Sequence, residues 1–338
     1  MLQEIKISNF KNSSGNSQDI FLTYQIFGRE LGSAPVILVN HALTGNSSVT
    51  GPHGWWNEII GDGKSIDTQN FSVLAFDMPG NGYSGNSTHL IHNYKEFQLR
   101  DIAKIYDEAL RILNISEIFA GIGGSIGGAL LWELAALNPE LIKNVIPVAT
   151  DYKVTQWVKA LCKVQDSILN NSNNPISDAR MQAMTFYRSP ESLKQKFDPT
   201  TQIQPSGNWN IEGWLEYHGK KLEDRFQLAS YKLMNHLLTT IDISNNTHDH
   251  ISSALKIKGN IHIVTVNSDG FFLANENWES YVNLSLSKKN IKISEIRSIH
   301  GHDAFLIEHA QIKTILDPIF HINKNKHEKD THCSLRRG

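Results

Sequence analysis

The segment EIFAGIGGSIGGALLWELAAL, residues 117–137, decides how the rest of the chain is read. Glu117 to Ile122 is a short apolar run that predicts a strand. Ile126 to Leu137 predicts a helix, stopped by Asn138-Pro139. Between them Gly123-Gly124-Ser125-Ile126-Gly127-Gly128 fits the G-x-S-x-G nucleophile elbow. The chain must reverse in one residue there, which puts Ser125 in a strained conformation at the tip of the turn. Neighbours two before and two after must lack a Cβ, which is the reason for Gly123 and Gly127. The helix starting at Ile126 aims its first amides at Ser125 and favours negative charge beside it. A phosphate-binding loop is the competing reading. The stretch lacks both the lysine of a Walker loop and the spacing of a dinucleotide fingerprint.

Outward from this segment, strands and helices alternate. Phe21 to Phe27 alternates with period two, and Val36 to Val39 is a continuous apolar run of the kind buried on both faces. Phe71 to Phe76 is another such run, followed by a turn cluster from Asp77 to Gly85. Phe97, Ile102, Ile105, Ala109, Leu110 and Leu113 share one helical face. Val145 to Ala149, Ile261 to Val266 and Ile291 to Ile299 predict further strands, and Ala304 to about Ile319 a closing helix. Between Asp151 and Leu255 longer amphipathic stretches take over, with helices expected over Trp157–Leu169 and Glu223–Ile241. The pattern predicts a mostly parallel sheet flanked by helices. Residues 1–150 and 256–320 form its core, 151–255 a helical lid inserted over the strand ends, and 321–338 a polar, disordered tail.

Serine needs a base, and the base needs a third group to orient it. In a sheet of this kind the order is Ser, acid, His, with each residue after a strand. Asp269 follows the run ending at Val266, and His302 follows the run ending at Ile299. His300 competes with His302, but His302 comes after the small Gly301, in a loop able to reach Ser125. The oxyanion donors are then the backbone amides of Ile126 and of Leu43, the latter in the turn His41-Ala42-Leu43-Thr44-Gly45 after an early strand. His248-Asp249-His250 reads as a solvated polar loop, and no cluster has metal-ligand spacing, so no metal is expected.

Composition narrows the class of function. Of 338 residues, 32 are Lys or Arg and 34 are Asp or Glu, a net charge of −2. That balance excludes a dominant electrostatic role on nucleic acid or an anionic membrane. Two cysteines, Cys162 and Cys333, make neither a disulfide framework nor a four-thiolate zinc site. They are expected as free thiols in a reducing, cytoplasmic compartment. The N-terminus MLQEIKISNF has no apolar run after a basic stretch, so no signal peptide is expected, and no apolar run reaches membrane-spanning length.

Several segments together carry a family resemblance. They are His41-Ala42-Leu43-Thr44-Gly45, Gly54-Trp55-Trp56, Ile60 to Thr68, the serine elbow, Tyr187-Arg188-Ser189, and Gly301 to Glu308. In this order, from about Leu22 to about Leu316, the chain resembles the homoserine O-acetyltransferases. The resemblance implies an α/β-hydrolase fold with a helical lid that also serves as a homodimer interface. It implies acetyl transfer from acetyl-CoA to the hydroxyl of L-homoserine, a step toward methionine, by a ping-pong route through an acyl-Ser125. No cofactor beyond the co-substrate is implied. The matching positions make Asp303 the ligand of the homoserine amine and Arg188 that of its carboxylate. A zwitterion in a dry pocket does require one fixed anion and one guanidinium. One stretch departs from the family. Where the family has a segment rich in glycine and cysteine, this chain has Phe76-Asp77-Met78-Pro79-Gly80-Asn81-Gly82-Tyr83-Ser84-Gly85, closer to the turn of general α/β-hydrolases. Hydrolysis of esters or thioesters, or acyl transfer to another small hydroxyl such as serine, is the alternative.

Overall fold

The computed structural model describes residues 1–197 and 210–320. Strands β1 (Gln3–Lys11), β2 (Ser17–Gly28) and β3 (Val36–Asn40) open the chain, followed by the short pair β4 (Ile60–Gly61) and β5 (Ile66–Asp67). Then come β6 (Ser72–Phe76), α1 (Leu99–Ile112), β7 (Ala120–Gly124), α2 (Ile126–Leu137) and β8 (Asn144–Val148). Six helices follow: α3 (Gln156–Asn171), α4 (Pro175–Tyr187), α5 (Pro190–Lys196), α6 (Asn210–Glu223), α7 (Leu228–Leu238) and α8 (His250–Lys256). The chain then returns through β9 (Asn260–Val266), α9 (Ala274–Ser285), β10 (Ile291–Ile296) and α10 (His309–Phe320).

Eight strands make one sheet in the order β1-β2-β6-β3-β7-β8-β9-β10. Only β2 runs against its neighbours; from β6 to β10 every pairing is parallel. This is the α/β-hydrolase fold. The central strands β3, β6 and β7 are buried along their whole length, as their unbroken apolar runs require. Their alternate residues feed two cores. Leu38, Leu74 and Phe76 pack with α1 and α2 on one face. Ile37, Val39, Val73 and Ala75 pack with Phe305 and α10 on the other. Helix α2 is wedged against the sheet with Ile126 through Ala135 all buried, so its apolar residues encircle it instead of forming a stripe.

The segment between β8 and β9 leaves and re-enters through a narrow neck. Lys153 and Asp242 form an antiparallel bridge there. The Val154 amide donates to the Ile241 carbonyl at 2.9 Å, and the Ile243 amide to Tyr152 at 3.2 Å. Helix α8 lies on the sheet side of that neck, against α2 and α9.

Several boundaries differ from the sequence expectations. The helix expected over Glu223–Ile241 is α7, which starts only at Leu228; Glu223 is instead the last residue of α6. The turn between them buries Phe226, and both helices bury residues in the same core, so the apolar period continues across the break. The closing helix begins at His309, because Gly301–Leu306 form a separate 3₁₀ turn that presents His302. Strand β10 ends at Ile296, three residues early. The strand expected over Glu117–Ile122 runs from Ala120 to Gly124, directly into the elbow. Strands β1, β4 and β5 and helices α4, α5, α6, α8 and α9 have no counterpart in the sequence reading. The expected tail, 321–338, and Cys333 within it lie outside the described residues.

Two carboxyls are buried beside the neck. On α2, Glu133 accepts the Asp242 amide at 2.9 Å and faces Arg100 at 3.3 Å. Asp151, just after β8, accepts the Tyr152 amide at 2.7 Å and faces the Ser280 hydroxyl at 3.3 Å. Burial pushes each up to about 7. Both therefore bind protons more tightly folded than unfolded, and each costs stability as pH rises from its ordinary value toward about 7. Between pH 5 and 7.5 the wild type should lose stability, by roughly 2–5 kcal/mol, relative to a Glu133→Gln/Asp151→Asn variant. Urea denaturation at the two pH values measures this; parallel losses in both proteins would refute it.

Candidate active site

Ser125 sits at φ 58° and ψ −129°, a conformation that residues with a side chain rarely adopt. The surroundings hold it there. Its amide donates to the Val148 carbonyl of β8 at 2.9 Å. Its carbonyl accepts the Gly128 and Ala129 amides at 2.9 and 3.1 Å, starting α2. The elbow glycines each face a different wall. A Cβ on Gly123 would lie 2.5 Å from Gly127 itself, while one on Gly127 would lie 2.5 Å from the His41 carbonyl. Gly124 and Gly128 would meet the Phe305 ring and Thr150. The elbow is therefore pressed on all sides: by its own helix, by the end of β3 and by the exit of β8.

The three residues chosen from the sequence come together. His302 Nε2 lies 2.9 Å from Ser125 Oγ, and His302 Nδ1 lies 2.7 Å from Asp269 Oδ2. The second oxygen of Asp269 accepts the Phe271 and Phe272 amides at 2.7 and 3.0 Å, which fixes the carboxylate. Ser125, Asp269 and His302 are only 4, 5 and 3% exposed. The His302 ring is packed among Tyr187, Phe271, Phe272 and Phe305, with centroids 5.3–5.9 Å away. Gly301 makes this approach possible. At φ +66° its Cα passes under the end of α4, where a Cβ would lie 2.6 Å from the Tyr187 carbonyl. His300 is turned elsewhere, toward Arg188 and Ser192.

The amide of Ile126 heads α2, where the first N–H groups have no partner within the helix. Leu43 is buried in the turn after β3, and among the described residues its N–H meets no acceptor. Both amides are thus available to an oxyanion. The arrangement is suited to acyl transfer: a nucleophile, a base, an orienting acid and two unoccupied donors.

Charged groups line the lid side. Asp303 follows His302 directly. Burial raises its pKa, against the opposing pull of Arg180, His302 and Arg188. A cation arriving beside it would restore the ionised form. Arg188 caps the C-terminus of α4, and its guanidinium is engaged: Nε donates to Ser192 Oγ at 3.1 Å and Nη2 to His300 Nδ1 at 3.0 Å. Arg180, one of the groups acting on Asp303, escaped the sequence reading. Its guanidinium lies over the Tyr187 ring, 5.6 Å from the centroid, and makes no hydrogen bond or ion pair with a described residue. The available signal was helical spacing, because Arg180 precedes Tyr187 by two turns on one face. Burial, with Arg180, Lys221, Lys196 and Arg188 nearby, pushes His218 down to about 4. The lid side is therefore cationic and keeps that imidazole neutral. His250 is not simply solvated, since it pairs with Asp242 at 2.9 Å. Among the described residues no three His, Cys, Asp or Glu side chains gather as a metal site, and no helix is long and apolar enough to cross a membrane.

Comparison with known proteins agrees with this fold. A family model described as the alpha/beta hydrolase fold matches residues 35–252. A protein of Methanococcus vannielii named homoserine O-acetyltransferase is 29% identical over 336 residues, covering 88% of this chain and 68% of the relative. The crystal structure of a homoserine O-acetyltransferase from Bacillus anthracis superposes with a TM-score of 0.85 at 16% identity, over 95% of this chain and 97% of that one. An acetylester hydrolase from Corynebacterium glutamicum superposes with a TM-score of 0.79 at 18% identity, over 95% and 96%. At these identities the two superpositions establish the fold alone.

If Asp269 holds the His302 tautomer, Asp269→Asn should leave the protein folded but slow acylation of Ser125 roughly a thousand- to ten-thousand-fold. Stopped-flow release of a chromogenic leaving group reads this directly; a loss under tenfold would dismiss the role.

Proposed function

The chain belongs to the α/β-hydrolase fold family, and from that premise we propose that it is an acyltransferase acting through an acyl-Ser125. The donor is acetyl-CoA, the acceptor L-homoserine, and the product an O-acetyl amino acid on the way to methionine. The single observation that carries the chemistry is the Ser125–His302–Asp269 relay, at 2.9 and 2.7 Å in a buried setting. The charged pair beside it, Asp303 and Arg180, favours a zwitterionic acceptor over water. The relatives named homoserine O-acetyltransferase favour the same acceptor.

In the first half-reaction His302 Nε2 takes the Ser125 proton as Oγ attacks the thioester carbon. The amides of Leu43 and Ile126 stabilise the oxyanion. The C–S bond breaks, the thiol leaves with the proton from His302, and acetyl-Ser125 remains. In the second half-reaction the acceptor hydroxyl gives its proton to His302 and attacks the acyl carbon. The Ser125 C–O bond breaks and Oγ recovers the proton. Asp269 keeps the imidazole in one tautomer throughout. Asp303 receives the acceptor ammonium and Arg180 its carboxylate. Arg188, anchored to Ser192 and His300, adds positive charge behind it. The reaction requires no metal or further cofactor. The enzyme works in the cytoplasm, as a homodimer formed through the lid, apart from nucleic acid and membranes.

Hydrolysis is the competing reading, favoured by the stretch Phe76–Gly85, which is closer to general α/β-hydrolases. The two readings differ in who attacks the acyl-enzyme. Thiol release from acetyl-CoA should depend on L-homoserine, with O-acetylhomoserine found by mass spectrometry, and should vanish in Ser125→Ala. Equal release without an acceptor would make the protein a thioesterase. Asp303→Asn should raise the KM for homoserine at least tenfold while single-turnover acylation changes less than threefold. If both half-reactions slow equally, Asp303 does not bind the acceptor.

A further inference from the structure

The turn Asp77–Gly85 departs from the family pattern, and its first residues grip the loop that carries Leu43. Asp77 is buried. One of its carboxylate oxygens accepts the Ser47 amide at 2.7 Å; the other accepts the hydroxyls of Ser47 and Thr23 at 2.9 and 2.8 Å. The next residue, Met78, donates its amide to His41 Nε2 at 2.9 Å. An amide can only donate, so Nε2 is bare and the proton of the neutral ring is on Nδ1. Burial keeps the imidazole below its ordinary pKa, which favours that neutral form. Nδ1–H then donates to the Ala42 carbonyl at 2.7 Å, which also accepts the Gly45 amide at 2.9 Å.

That carbonyl belongs to the same peptide plane as the Leu43 N–H. In a trans peptide the two point in opposite directions, so holding one aims the other. Among the described residues the Leu43 N–H has no acceptor, as an oxyanion donor requires. The His41 carbonyl lies against the elbow, on the site where a Gly127 Cβ would sit. From the lid, Arg225 Nη1 donates to the Thr44 carbonyl at 2.9 Å, holding the loop two peptides beyond the Ala42 carbonyl.

We propose that His41, anchored by the Asp77–Met78 turn, is a positioning residue that aims the Leu43 amide at the oxyanion through the Ala42 carbonyl. His41 itself touches no substrate. The inference rests on the acyl-Ser125 reading, so its test uses p-nitrophenyl acetate, which acylates such a serine whatever the natural acceptor. Two replacements separate the ring's two bonds. His41→Asn keeps a donor near Nδ1, and His41→Gln keeps an acceptor near Nε2 for the Met78 amide but offers the Ala42 carbonyl nothing.

His41→Gln should lower kcat roughly ten- to a hundredfold with KM changed less than threefold. Inhibition by a small alkylboronic acid, whose tetrahedral adduct uses the same amides, should weaken in parallel. The pH profile limb belonging to His302 should stay in place, and His41→Asn should recover most of the rate. Equal rates in the two variants, or a loss of rate with boronate affinity intact, would overturn the role. Should both variants fail to fold, nitrogen-15 spectra of the wild-type imidazoles decide: a proton on His41 Nε2 refutes the proposal, and one on Nδ1 that shifts when the boronate binds upholds it. A wild type that forms no acyl-enzyme overturns the catalytic reading itself, whereas acylation at the wild-type rate in His41→Gln overturns only this inference.

Discussion

The structure depends on one backbone position. Ser125 holds a positive φ that a residue with a side chain adopts only under constraint, and the surrounding packing supplies it. Strand β7 delivers the serine and helix α2 leaves at once. The Val148 carbonyl holds the serine amide from the neighbouring strand. Glycines at four positions let α2, the end of β3, the exit of β8 and the Phe305 ring close in without a Cβ between them. Any loosening of these contacts would let the serine relax into an ordinary turn, and Oγ would then no longer meet His302. The sheet is central to function in this sense: it is the frame against which a strained residue is held.

The other two members of the relay come from the ends of β9 and β10, brought beside β7 and β8 by parallel pairing. Their loops have distinct tasks. The loop after β9 wraps the Phe271 and Phe272 amides onto one oxygen of Asp269, leaving the other for the imidazole. The loop after β10 becomes a 3₁₀ turn, passing under α4 through Gly301 and delivering His302 among aromatic rings. Those rings exclude water around the base, where each hydrogen bond is then stronger than it would be in solvent. The lid adds charge to this dry site. Asp303 is buried there under the influence of Arg180, His302 and Arg188, and the cost of burying the carboxylate falls when a cation binds.

Legibility in the sequence followed the range of the interactions. Ser125 was readable because its chemistry is local: a strand, a glycine-flanked serine and a helix within one stretch of chain. Asp269 and His302 were readable because each follows a strand, and chain order is restricted in such sheets. The lid was harder. The turn between Glu223 and Leu228 is invisible to periodicity, since Leu222 before it, Phe226 within it and α7 after it all bury residues in one core. Arg188 drew notice through its place in Tyr187-Arg188-Ser189, yet its Nε and Nη2 are held by Ser192 and by His300, the latter brought near it only by folding. Arg180 drew none, because a single arginine on a helix says nothing about the ring it covers.

By itself, the sequence determined the fold class and picked out Ser125, Asp269 and His302, the three residues that meet at the elbow, because each of these is written in short-range patterns of apolar period, glycine placement and strand-end position. Only the tertiary structure decided that Arg180 stacks on the Tyr187 ring, where the neck of the helical segment lies, and how the Asp77 turn reaches through His41 to the peptide carrying the Leu43 amide. Those outcomes turn on the direction of individual hydrogen bonds between segments far apart in the chain. Direction is a property of three-dimensional packing, and no spacing of residues encodes it.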